Sequence, residues 1–107
     1  MNTGGMYHFD GASGRRYLLT RLNPNALSPI VLAHGVYILG RDDAGAVTPL
    51  YIGEADSVYA EITGTTKWNE AKLHHGADAM FFLLLKDPVA RAEARRDLVA
   101  QYHPPLN

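Results

Sequence analysis

The run "AMFFLLL", residues 79–85, constrains this chain more than any other stretch. It is apolar at every position and bounded by Gly76 and Pro88. Buried helices take at least about 10–12 residues, so the run is too short for one. A segment with no polar face offers nothing to water, which predicts a central strand covered on both sides. The chain must therefore build a sheet around it. With 107 residues there is material for one modest core and not for two, so residues 1–107 read as a single domain. Apolar residues at 47% and charged residues at 20% suit a folded globular chain rather than a disordered one. The absence of cysteine removes disulfides, zinc–thiolate sites and thiol catalysis, and makes the cytoplasm the expected location. The opening "MNTGGMYHFDG" lacks the basic and apolar regions of a signal peptide. No apolar run approaches the roughly 18 residues of a membrane span, so no membrane association is expected. Net charge is −1 with a pI near 6.5, and any polyanion site must be a local patch.

Around the central run the remaining elements fall into place. Tyr7 to Phe9 and Tyr17 to Leu19 are β-rich and flank "GASG", the pattern of a hairpin. "NPNALSP", with Pro24 and Pro29, is a connector that resists helix and central strand alike, and the chain returns to the core from Ile30. "GVYIL" and "PLYIG" are short strands around the polar loop "GRDDAGAVT". Alternation sends Val36 and Ile38 one way and Tyr37 and Leu39 the other, so pairing of the two strands lets Tyr37 and Tyr51 line one face. "EADSVYAEI" makes two helical turns that end at Thr63-Gly64-Thr65, and "TKWNEAKLHHG" is a short helix with Thr66 as N-cap and Gly76 as C-cap. His74 and His75 suit its C-terminal dipole better than a ligand role, because adjacent helical residues diverge. "DPVARAEARRDLVAQYHPPLN" is the clearest helix, capped by Asp87, opened by Pro88 and stopped by Pro104-Pro105. This unrepeated mixture predicts an α+β two-layer arrangement rather than a doubly wound sheet.

The order "GVYIL…LYIG", short helices, an apolar strand, then "EARRDLVAQYHPPLN" resembles the GIY-YIG nuclease superfamily over residues 35–107. The resemblance implies a small three-stranded antiparallel sheet flanked by helices. The hairpin and connector of residues 1–29 are then an addition to a core of residues 30–107. It further implies a metal-dependent DNA endonuclease. Tyr37 would help take a proton from the attacking water and Tyr51 would line the same site. Glu93 would bind one Mg2+ or Mn2+, weakly without substrate, and Asn107 would complete the pocket wall. A hard cation on a carboxylate and waters stabilises charge on the scissile phosphate, and a tyrosine acidified beside it can act as base.

Two positions depart from the family pattern. Glu61 stands where an arginine is usual and Thr65 where a histidine is. A carboxylate in place of the phosphate-gripping arginine repels the substrate, which degrades the implied activity. Replacement cations would have to come from Lys67, Lys72 or the N-terminal Arg15 and Arg16, and Arg96 joins them if a basic patch forms. The bland readings are a half-buried strand tyrosine that only packs, a Glu93–Arg96 pair along the helix, solvated arginines, and core packing for Trp68 and Tyr59. A catalytically silent nucleic-acid-binding module stands as the alternative, with DNA the first partner and RNA also open. A protein-interaction module, adding a partner strand to the N-terminal hairpin, is the third reading.

Overall fold

The computed structural model describes residues 5–28 and 32–107, so the expected return of the chain at Ile30, and Pro29 of the connector, lie outside the described residues. The elements run β1 (Met6–Asp10), β2 (Arg16–Leu22), β3 (Gly35–Asp43), β4 (Ala46–Ala55), α1 (Val58–Gly64), α2 (Lys67–His75), β5 (Ala79–Leu84) and α3 (Pro88–Tyr102). The class is α+β, with one sheet in the order β1-β2-β5-β3-β4 and every pairing antiparallel. This corrects the expectation of a three-stranded sheet with a separate hairpin. Thr20, Arg21 and Leu22 of β2 pair with Phe82, Phe81 and Met80 of β5. A three-stranded sheet would leave the outer backbone edge of the most apolar strand unpaired, and the hairpin satisfies it. The "AMFFLLL" segment is thus central in the full sheet, with Ala79, Met80, Phe81 and Phe82 buried and Leu84 emerging at 57% exposure.

The two-layer expectation also changes, because helices cover both faces. On one face Phe9, Leu19, Val36, Ile38, Ile52 and Phe81 pack with Ala94 and Leu98 of α3. On the other, Tyr37, Leu39, Met80 and Phe82 pack with Leu32 and with Val58 and Ile62 of α1. The alternation read from "GVYIL" is what divides β3 between these two clusters.

Capping fixes where each helix begins. Ser57 accepts the Ala60 N–H at the start of α1. Thr66 occupies the N-cap position of α2 but makes no side-chain cap, and the Thr65 hydroxyl accepts the Lys67 N–H instead, at 2.8 Å. Gly76 ends α2 in the left-handed region at φ 71°. Asp87 accepts from Val89 N–H, Pro88 sits in the first turn of α3, and the helix stops at left-handed His103 just before Pro104. Among the described residues no helix is long and apolar enough to cross a membrane.

Asp97 ties the β1–β2 loop to α3. It accepts from Ser13 N–H at 2.8 Å, the Ser13 hydroxyl at 2.6 Å and the Tyr17 hydroxyl at 2.7 Å. The Ser13 hydroxyl, then the Tyr17 hydroxyl, hold this carboxyl below its usual value of 3.8. Because the folded value is depressed, Asp97 stabilises the fold above the unfolded value and loses that contribution as pH falls through the folded one. Asp97→Asn should therefore be less stable than the wild type at pH 7, and the gap should narrow below about pH 3.8. Urea melts of both proteins at pH 7 and pH 3 measure it, and a gap that widens in acid would remove Asp97 as the cause.

Candidate functional site

The β3–β4 hairpin sets the geometry of the tyrosine pair. Its two-residue turn, Ala44 and Gly45, has φ values of 55° and 95°, matching the primed turns whose twist suits paired strands. The turn alone would set Tyr37 opposite Ile52; a one-residue register shift at Leu39/Gly40 sets it opposite Gly53, with Leu39 opposite Tyr51. Tyr37 and Tyr51 share the face that meets α1, with ring centroids 6.0 Å apart and planes tilted by 48°. The Tyr37 ring lies directly over Gly53, where an added Cβ would come within 2.5 Å of its Cζ. The glycine of "YIG" is therefore the seat of the tyrosine of "GVY".

The C-terminal segment closes the outer edge of β4 beside this pair. Leu106 N–H donates to the Leu50 carbonyl at 3.0 Å. The Asn107 amide then copies a strand: its oxygen accepts from Ile52 N–H and its NH2 donates to the Ile52 carbonyl, each at 2.8 Å. Lys67 Nζ donates to the Leu106 carbonyl at 3.4 Å and lies 5.3 Å from the Tyr51 ring centroid. Glu70 is 3.7 Å from the same nitrogen. Lys72 sits 5.4 Å from the Trp68 ring.

Tyr37 is 1% exposed, and its buried hydroxyl interacts with Tyr51 but meets no partner in full hydrogen-bond geometry among the described residues. Burial pushes its acidity well above the ordinary tyrosine value, the neighbouring Tyr51 and the Glu61 carboxylate push it further, and Arg95 opposes them. Tyr37 is accordingly a neutral phenol at physiological pH. A tyrosine that takes a proton from water needs the opposite shift. Removing an unpartnered buried hydroxyl relieves a desolvation cost, so Tyr37→Phe should raise stability by about 1 kcal/mol. A thermal melt reading a loss of that size instead would show that the hydroxyl is satisfied in solution.

Arg91 and Arg95, which the sequence leaves among the solvated arginines, are not fully exposed. On α3, Arg91 is 4% exposed, with Nη2 2.6 Å from Asp56 and Nε 3.3 Å from Glu54, so this flank of the helix faces the end of β4. Arg95 lies one turn further along the same flank and is half-buried. The available signal was its spacing of four from Arg91 and three from Leu98. Glu93 is exposed and projects about 200° around the helix from Arg95. It sits one turn before Asp97, on the flank that holds the β1–β2 loop, while α3 packs against the sheet face opposite the Tyr37 ring.

The structure thus brings together Tyr37, Tyr51, Glu61 and Lys67, with Asn107 on the adjoining strand edge. It leaves Glu93 apart from them. Arg15 and Arg16 are exposed on the hairpin, where Arg16 pairs with Asp10 at 3.2 Å, and Arg96 is exposed on the outer side of α3. Thr65 serves α2 as a cap. Among the described residues no three His, Asp or Glu side chains gather as a metal-holding group. Glu93, the carboxylate implied to hold the metal, lies on the helix that covers the sheet face opposite the Tyr37 ring, so it and the tyrosine pair do not form one metal-holding group. The fold and site define an α+β protein with a tyrosine pair seated on a glycine beside mixed, fixed charges. No family model, no curated protein and no solved structure matches the chain.

Proposed function

We propose that this chain is a GIY-YIG-like domain that binds nucleic acid, DNA in the first place, and does not cut it. The antiparallel neighbours β5-β3-β4, the tyrosine pair on one face with Gly53 beneath Tyr37, and the Asn107 clamp support the likeness. The observation that carries the silent reading is the Tyr37 hydroxyl, sealed from solvent and kept neutral by burial first, then by Tyr51 and Glu61. A phenol kept neutral by its surroundings is a poor base for activating water. Binding rests on Lys67 and Lys72, which are held against aromatic rings where phosphate and base contacts combine.

The test uses short single- and double-stranded DNA at several salt concentrations, with Mg2+ or Mn2+ present. The expected result is binding that weakens steeply with salt and leaves the DNA intact. Metal-dependent cleavage that Tyr37→Phe abolishes would establish the endonuclease reading instead. A protein-interaction role draws on a different observation: β1 is an edge strand, and Met6, Leu18 and Leu84 are exposed together beside it. An absence of DNA binding at low salt would favour that reading.

A further inference from the structure

We infer that the open edge of β1 pairs antiparallel with β1 of a second copy, about a two-fold axis at Tyr7, so that two chains share one continuous sheet. The inference is independent of the nucleic-acid reading.

The hydrogen-bond phase of the β1–β2 hairpin decides which backbone groups face outwards. Arg21 N–H donates to the Gly5 carbonyl and Gly11 N–H to the Arg15 carbonyl, each at 2.8 Å. Bonded and non-bonded pairs alternate along an antiparallel ladder. Tyr7 and Phe9 therefore exchange bonds with Leu19 and Tyr17, while Met6, His8 and Asp10 turn their N–H and C=O groups away from β2. The Asp10 N–H is taken by the Tyr102 hydroxyl at 3.0 Å. Among the described residues nothing meets the N–H and C=O groups of Met6 and His8. The opposite edge of the sheet differs, because Leu106 and Asn107 occupy Leu50 and Ile52 of β4.

The open groups of two such edges satisfy one another. With the axis at Tyr7, Met6 of each chain lies opposite His8 of the other, and the two pairs exchange their N–H and C=O groups completely. An axis at His8 would set Met6 opposite Asp10, where Tyr102 stands in the way. The side chains fit the same register. Tyr7 meets Tyr7 of the second copy as a close cross-strand aromatic pair on the α3 face. Its ring is half-buried, edge-on to Phe81 at 5.0 Å, and its hydroxyl accepts from Arg21 Nη1 at 3.3 Å. On the other face Met6, 59% exposed, covers His8 of the second copy and extends the apolar patch of Leu18 and Leu84. No like charges are opposed, since Asp10 lies outside the bonded pairs and is paired with Arg16. A foreign strand would find the same backbone groups but bring no partner for Tyr7, which favours a second copy. Because β4 is closed, association stops at two chains instead of continuing as a filament. So short an edge buries less than the ~1,200 Å2 of a stable interface. The dimer is accordingly reversible, with a Kd on the order of 0.1–1 mM.

The experiment follows sedimentation of the full chain from about 10 µM to about 2 mM, which brackets that constant. The expected result is a reversible monomer–dimer equilibrium. His8→Pro removes an outward N–H without breaking the β1–β2 ladder, so it should fold and remain monomeric throughout. The chain has no cysteine, so a single introduced thiol reports the register. Under mild oxidation Tyr7→Cys should form a disulfide dimer at least about tenfold faster than His8→Cys, because only residue 7 meets its own copy at bridging distance. Melting temperatures confirm that the variants are folded. If Tyr7→Cys is not, wild-type amide shifts that grow with concentration at Met6 and His8 carry the register test. A wild type that stays monomeric at the highest concentration overturns the proposal, and so does a dimer that folded His8→Pro leaves unchanged. Faster crosslinking of His8→Cys, or concentration-dependent shifts confined to other residues, overturns the register. Growth beyond two chains overturns the closure at β4.

Discussion

Gly53→Ala should destabilise the fold by about 3 kcal/mol, at the upper end of what overpacking one methyl costs in a packed core. The new Cβ would stand 2.5 Å from Cζ of Tyr37, 2.6 Å from its hydroxyl oxygen and 2.7 Å from Cε1. Contacts that short require something to move. The flexible tip of a surface side chain would swing away, but the Tyr37 ring is 1% exposed and sits among Leu39, Val58, Ile62 and Phe82. Its backbone has no more freedom, because β3 is paired with β4 on one side and β5 on the other. The strain must therefore spread into strand separation or off-rotamer packing. For a chain of this size about 3 kcal/mol corresponds to a fall in Tm on the order of 10–20 °C. Gly45→Ala is the contrasting control: nothing lies within 4 Å of its Cβ position, so only the φ of 95° is penalised, at roughly 1 kcal/mol. Thermal melts compare the two. A loss at Gly53 no larger than that at Gly45 would show that the ring is not fixed over the glycine. The double variant Tyr37→Leu with Gly53→Ala should lose less than the sum of the single changes, because the clash belongs to one pair.

The sequence made some of this legible and hid the rest for physical reasons. An apolar run with no polar face can only be a doubly covered strand, and β5 is one. Strand alternation left a common side open to Tyr37 and Tyr51, and the register shift at Leu39/Gly40, which the sequence did not reveal, puts them there. The attachment of the N-terminal hairpin was not readable, because "RYLLTRL" would suit several partners. The edge it actually joins is formed by Met80, Phe81 and Phe82, some sixty residues away. Pairing across that distance is decided by which backbone edge is left open, a tertiary fact. The direction of α3 was obscured in another way. Arginines at 91, 95 and 96 break the apolar stripe, so polarity does not reveal which face is buried. Arg91 turns inward because Glu54 and Asp56 neutralise it there, and neither carboxylate is near it in sequence. Once Arg91 is inward, the helical phase turns Glu93 towards the flank of Asp97 and the β1–β2 loop, away from the tyrosine pair. Transferring a functional role to Glu93 used residue type and approximate distance along the chain, and neither contains that phase.

Glu61→Arg should strengthen DNA binding by about ten- to a hundredfold at low salt, with the gain shrinking as salt rises. A unit charge pair about 4 Å apart at an effective dielectric near 20 is worth about 4 kcal/mol, so reversing the sign spans roughly 8 kcal/mol before solvent screening. Glu61 is exposed, and screening leaves only a fraction of that. Cleavage should still be absent. Removing the carboxylate withdraws one of the influences that raise Tyr37, but burial is the leading cause and is untouched, so the phenol stays neutral at physiological pH. A spectroscopic titration of the tyrosines should find Tyr37 more acidic than in the wild type and still weaker than an ordinary tyrosine. Adding Thr65→His should not unlock the chemistry either. It would remove the hydroxyl that caps Lys67 N–H at the start of α2, costing about 1 kcal/mol. It would also loosen the helix that positions Lys67. Binding of the double variant should accordingly fall below that of Glu61→Arg alone. Cleavage by Glu61→Arg in Mg2+ or Mn2+ would give the opposite answer: position 61 alone silences the pocket, the Tyr37 hydroxyl becomes accessible once phosphate is bound, and the chain is a nuclease disabled by one charge.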